Sequence, residues 1–163
     1  MAWSASAMFR EFPVAMLNDS ATGYDGLDTD VIKAALYDDD ITPNKDAAVA
    51  STGFNTGVWA TAGNEVVDTD GSSDWSTGGI ALSSKTITTP STGVIQFDAA
   101  DTTHSNTVTI SGAHGCLVYN DDITGGTVAK QGISYHWFGG AQSVTTGTFT
   151  IVWHANGLFR ITV

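Results

Sequence analysis

The sequence predicts a mainly β protein: an antiparallel β-sandwich or jelly-roll-like domain with one N-terminal helix and a long Gly/Ser/Asp-rich loop. Three observations carry this reading. The chain has 163 residues, enough to bury a core as one domain. Charged residues make up 14%, against roughly 25% in ordinary soluble domains, and 23 Thr, 14 Ser and 18 Gly fill the gap. β-Branched Thr and frequent Gly favour strands and turns over helices. Beyond Gly79, short apolar runs alternate with turn signals at hairpin spacing. Residues 1–163 therefore read as a single β-sandwich domain, with 1–18 as an N-terminal arm or helix and 52–79 as the long loop.

The elements follow in order. Met8, Phe9, Phe12, Met16 and Leu17 fall on one helical face, Ser4 or Ser6 is placed to cap it, and Pro13 would kink or divide it. Residues 18–26 read as a turn. Residues 31–37 (VIKAALY) form an apolar strand, and the aspartates on either side of it read as solvated ends. Thr42 followed by Pro43 suggests a second, short helical turn. Residues 52–79 carry Phe54, Val58 and Trp59 as anchors in an otherwise polar loop; loops of this length in compact domains usually have a task.

Seven strands are expected after that, at 80–87, 93–98, 107–111, 115–119, 132–138, 146–154 and 158–163. Within them Phe149, Ile151 and Trp153 share one face, and Val108 and Ile110 another. Gly125-Gly126 and Gly139-Gly140 read as turns, and Asn156-Gly157 between two apolar runs reads as a hairpin.

Charge narrows the function classes. Net charge is −11, and residues 1–80 hold thirteen acidic and three basic side chains, while residues 81–163 hold four and three. So acidic a chain repels a phosphate backbone, and no direct nucleic-acid partner is expected. The near-neutral second half suits a surface covered by partner subunits, because interface cores are depleted of charge; an ordinary Thr-rich surface is the competing reading. No stretch approaches the ~20 apolar residues of a membrane span, and the first residues lack the basic start of a signal peptide. Cys116 is the single cysteine and reads as a buried strand thiol.

No motif for catalysis, nucleotide binding or a cofactor is present, and no metal is expected. The nearest metal candidate is Asp68, Asp70 and Asp74 around Gly71, which resembles the start of a calcium loop. It falls short because the twelfth position is Gly79 rather than Glu. Asp38, Asp39 and Asp40 alternate faces on an extended chain and cannot easily share an ion. His104, His114, His136 and His154 lack zinc spacing, and no nucleophile is placed beside Asp98, Asp101 and His104. Trp59 and Trp75 lie in or near Gly-rich loops, where aromatics can stack on sugar rings; the preferred reading packs them onto the sheet.

One resemblance spans nearly the whole chain from Phe9 onward. After the helix come Leu27-Asp-Thr-Asp-Val-Ile-Lys-Ala-Ala-Leu36, Ile41-Thr-Pro-Asn-Lys-Asp46, Trp75-Ser-Thr-Gly-Gly79 and Phe97-Asp-Ala-Ala-Asp101. Then follow Cys116-Leu-Val-Tyr119 running to Asp122, Phe138-Gly-Gly-Ala-Gln-Ser143, Gly147-Thr-Phe-Thr-Ile-Val-Trp153 and Gly157-Leu-Phe-Arg-Ile161. In this order they resemble small virion structural proteins of tailed bacteriophages, described as head decoration, minor capsid or minor tail proteins.

The resemblance implies a non-enzymatic particle component without catalytic residues or cofactor, assembled in the host cytoplasm and located in the virion. The expected partners are the major capsid protein lattice and copies of the chain itself, in a homo-oligomer. The expected role is a head decoration (cement) protein. The alternatives are a minor tail or baseplate component, or a carbohydrate-binding adhesion module using Trp59 and Trp75. Trp3, Met8, Phe9 and Phe12 are the expected docking arm, against the competing reading of a segment that covers its own sheet.

Overall fold

The computed structural model describes residues 3–60, 62–72 and 74–163. It is mainly β, with antiparallel sheets and one short helix, consistent with a β-sandwich-like fold. The central strand is β2 (Ile32–Tyr37), where Ile32, Ala34, Ala35, Leu36 and Tyr37 are all buried. Burial on both faces explains why this run is almost continuously apolar, as expected of residues 31–37. On one side β2 pairs with β8 (Val108–Asn120), in a register that sets Ile32 opposite Asn120 and Tyr37 opposite Gly115. On the other it pairs with β3 (Glu65–Val66) and β4 (Ile80–Ala81). The next strand after β8 is β9 (Gly132–Gly147), and β1 (Ala7–Met8) closes that edge.

Two small sheets complete the body. One runs β11 (Phe159–Thr162), β6 (Val94–Asp98), β5 (Thr86–Ser91), and the other pairs β10 (Thr150–Ile151) with β7 (Thr102–Thr103).

The N-terminal helix is shorter than its spacing suggested. Helix α1 covers Glu11–Leu17 only, and Arg10 at its start makes no side-chain cap. Ala7 and Met8 are extended and lie opposite Tyr135 and Ser134 of β9. Ser6, expected as a cap, instead accepts a hydrogen bond from the Trp137 backbone N–H. Pro13 sits in the first turn, where no N–H is required, and so it neither kinks nor divides the helix. The helical turn expected at Thr42 is absent. Asn44 accepts from the Asp46 N–H in a side-chain turn, and the 3₁₀ turn comes later, at Val49–Ser51.

Two expected breaks prove continuous, and one expected hairpin does not form. Residues 107–111 and 115–119 belong to a single strand, β8. Gly139-Gly140 lies inside β9, where Ala113 faces Gln142 but Gly115 faces Trp137, so residues 138–141 bulge out of register. The positive φ of both glycines (+82° and +154°) makes that bulge inexpensive. At Asn156-Gly157 the chain turns, yet β10 pairs with β7 and β11 pairs with β6. The Gly157 backbone packs so close to β6 that a Cβ there would meet Phe97 O at 2.3 Å. Close docking onto β6 takes the place of pairing with residues 150–151.

Trp3 and Phe9 tie the first residues to the core, while residues 4–6 between them stay exposed. Trp3 and Phe9 are 1% and 0% exposed. They fit because the sheet offers glycines beneath them. A Cβ on Gly115 would lie 2.5 Å from the Trp3 ring, and one on Gly132 would lie 2.7 Å from the Phe9 ring. Replacing Trp3 by Ala should therefore cost about 3–5 kcal/mol of stability in urea unfolding. A loss below about 1 kcal/mol would show that the segment is peripheral.

Candidate functional site

The predicted site residues fall mostly in the core. Trp3, Phe9, Tyr37, Trp59 and Tyr135 form one aromatic cluster, with ring centroids 5.1–6.1 Å apart and edge-to-face or tilted geometry. The Trp3 indole N–H donates to Asp38 O at 2.6 Å, and the Tyr37 hydroxyl donates to Trp59 O at 2.7 Å. Phe12 is buried and meets Tyr24 edge-on, while Met8 is half-buried against the same core. The expected docking arm is therefore engaged by its own sheet. Trp59 and Trp75 are each 1% exposed, so neither can present a face to a sugar ring. Of the expected loop anchors, Phe54 stacks on Tyr119 at 4.8 Å and Trp59 is buried, whereas Val58 points outward.

The candidate calcium residues do not converge: Asp68 and Asp70 both turn to Thr109, and Asp74 turns to His104. Asp68 accepts from the Ser72 hydroxyl and the Thr109 N–H; the Ser72 hydrogen bond, first of all, holds its carboxyl below the usual range. Asp70 accepts from the Thr109 hydroxyl, and Asp74 is buried against Nδ1 of His104. Among the described residues, no group of three His, Cys, Asp or Glu is placed to hold a metal ion. Asp98 accepts from the Ala99 N–H and Asp101 from the Trp153 N–H, so both carboxylates serve the backbone.

One polar pair inside the core was not read from the sequence. Ser134 Oγ lies 2.9 Å from His136 Nε2, with Cys116 opposite His136 on β8 and the Trp153 ring 5.1 Å away. Ser134 is 1% exposed, which closes its hydroxyl to a substrate, while His136 is half-buried. Burial pushes the Cys116 thiol up, so it stays protonated and inert.

The most apolar cleft open to a partner among the described residues is a groove of about 400 Å³ between α1 and the three-stranded sheet. Phe12, Met16, Leu17, Tyr24 and Leu27 form its helix wall. Register builds the facing wall: Phe97 lies opposite Phe159 and Ile87, and Ile95 opposite Ile161, so these side chains share one face. Leu17 and Val163 are 86% and 83% exposed at its ends, and Ile87 is 47% exposed along it. The signal lay in the alternation of residues 95, 97, 159 and 161, but their joint face needs the register of β6 with β11. A second, shallower cleft lies beside the β9 bulge, lined by Trp137, Phe138, Gln142 and Phe149. There Gln142 donates to Gly140 O, and Ser143 accepts from the Gly112 N–H.

Neither a family model, a curated protein nor a solved structure matches the chain.

His136 gives a pH signature. Burial lowers His136 to about 4 from an ordinary 6.5. The folded state thus binds the proton less well than the unfolded one, so the contribution is whole above pH 6.5 and is lost as pH falls toward 4. Burial raises Glu65 and Asp38, and those groups act in the opposite sense. Comparison with His136→Gln isolates the imidazole. The variant should lose about 2 kcal/mol less stability than the parent over that range. Parallel pH profiles for the two proteins would show that His136 is freely protonated in the fold.

Proposed function

We propose that the chain is a non-enzymatic structural component of a tailed-bacteriophage virion, acting as a decoration (cement) protein on the outside of the head. The observation that carries this reading is the apolar groove. A chain that fills its core with Trp3, Phe9, Trp59 and Trp75 still leaves Leu17, Ile87 and Val163 in water around one elongated depression. Val14, Val31, Val58 and Val152 are exposed singly elsewhere, whereas these three border one apolar depression, and contiguous exposed apolar surface is the mark of a docking site. The order of motifs that resembles virion proteins supplies the setting.

The mechanism would be mechanical. Each copy buries the groove against a neighbouring protein, and many modest contacts repeated over a lattice sum to a large resistance against internal pressure. The docking surface differs from the one expected. Residues 3–12 set the position of the groove from inside, and the contact itself falls to α1, residues 24–27 and the three-stranded sheet.

Copy number tests the assignment. Quantitative mass spectrometry of purified particles, scaled to the major capsid protein, should find hundreds of copies per virion. A few to a few dozen would place the chain in the tail or baseplate, and its absence from particles would refute a virion role.

A further inference from the structure

We propose that the groove receives an apolar peptide segment flanked by Lys or Arg, contributed by a different protein; this rests on the docking reading above and names the chemistry of the partner. The apolar walls alone would accept any greasy occupant. The charges at the rim restrict the choice. Along the helix wall, carboxylates interleave with lining residues in sequence: Leu17 precedes Asp19, Tyr24 precedes Asp25, and Leu27 precedes Asp28. Asp19, Asp25 and Asp28 are all exposed. The Asp28 charge reaches Tyr24 closely enough to help raise its hydroxyl pKa, after the larger effects of burial and Asp30. None of the three carboxylates makes an ion pair or accepts a hydrogen bond among the described residues.

The sheet wall offers these carboxylates no internal partner. Arg160 projects to the opposite face of its sheet, where its Nε donates to Gln96 Oε1 at 2.7 Å. Lys85 lies just before Thr86, which sits opposite Asp98 at the end of the sheet. Three exposed, unneutralised carboxylates thus lie one or two residues along the chain from side chains that line an apolar slot, a setting complementary to a segment of apolar residues with basic flanks.

The same carboxylates argue against the other occupants. A two-fold pairing of two copies through the groove would set both acidic rims together, in a chain whose net charge is already −11. An anionic lipid surface would meet the same repulsion.

The test is selection of a displayed random dodecapeptide library on the immobilised full chain. Enriched peptides should pair an apolar stretch with Lys or Arg, and synthetic versions should bind with an affinity that falls as salt is raised. Leu17→Ser with Ile161→Ser should abolish that binding. Asp19→Asn, Asp25→Asn and Asp28→Asn together should weaken it about tenfold at low salt and flatten its salt dependence. All three aspartates are exposed, so the triple variant should keep the parental unfolding midpoint, which controls for folding.

The proposal is overturned if no peptides are enriched, if enriched peptides lack basic residues, or if binding ignores the carboxylate variants. It is equally overturned if the chain forms a dimer that Leu17→Ser dissolves, because a second copy would then be the occupant. High copy number in particles together with any of these results leaves the assembly role standing and removes only the partner chemistry. Basic, groove-dependent peptides with a chain absent from particles would do the reverse.

Discussion

The packing of Trp59 decides how the rest of the chain is arranged. Its ring meets Trp3, Phe9, Tyr37 and Tyr135, and its carbonyl accepts the Tyr37 hydroxyl. Those contacts join three regions distant in sequence: the first residues, the long loop and the central sheet. Each aromatic pair adds roughly 0.5–1.5 kcal/mol beyond the area it buries, so the cluster is a large share of a marginal stability. With Phe9 fixed, its N–H donates to Ile133 O, and the next N–H, that of Arg10, donates to Lys45 O. Helix α1 begins immediately afterwards. The helix wall of the groove is therefore set by the packing of the residues just before it, and Phe12 belongs both to that core and to the groove lining.

How much of this the sequence discloses depends on the range of the interaction concerned. The strand at 31–37 was legible because a short, almost continuously apolar run bounded by acidic turns reads as a strand buried on both faces. The inward faces of residues 149–153 and of Val108 and Ile110 were legible because alternation is local. Gly139-Gly140 misled because a pair of glycines permits both a turn and a bulge, and only pairing with β8 distinguishes them. Asn156-Gly157 misled for a similar reason: a tight turn says that the chain reverses, not which strand it then joins. The helix expected from the spacing of Met8, Phe9 and Phe12 forms only from Glu11, and at residues 7–8 it gave way to an edge strand because β9 had unpaired backbone groups to satisfy. For the site, Trp59 and Trp75 look alike in loop or core until tertiary contacts are known. The groove was invisible because its walls come from residues 12–27 on one side and from the register of β6 with β5 and β11 on the other.

Charge follows the same division. Where acidic residues are structural, they are partnered. Burial alone would raise Asp121, but Lys33 at 2.7 Å and Lys130 at 2.9 Å bond to it and hold its carboxyl low. Asp30 is buried and accepts the Asn120 side-chain amide at 2.6 Å and the Asp25 N–H. The carboxylates left without such partners include those beside the groove. Both halves of the sequence meet at the groove: residues 12–27 of the acidic half supply one apolar wall and the carboxylates next to it in sequence, and residues 87–163 of the near-neutral half supply the other wall.

The central claim is that the chain docks through the groove between α1 and the three-stranded sheet, while its N-terminal aromatics stay in the core. Amide hydrogen exchange, compared between the free chain and the chain on assembled particles, tests this most directly. The account predicts slowed exchange on assembly in residues 12–28, 86–97 and 159–163, with residues 7–9, paired with β9, already protected in the free chain. Fast exchange at residues 7–9 in the free chain, slowed only on the particle, would restore the docking arm and contradict the account.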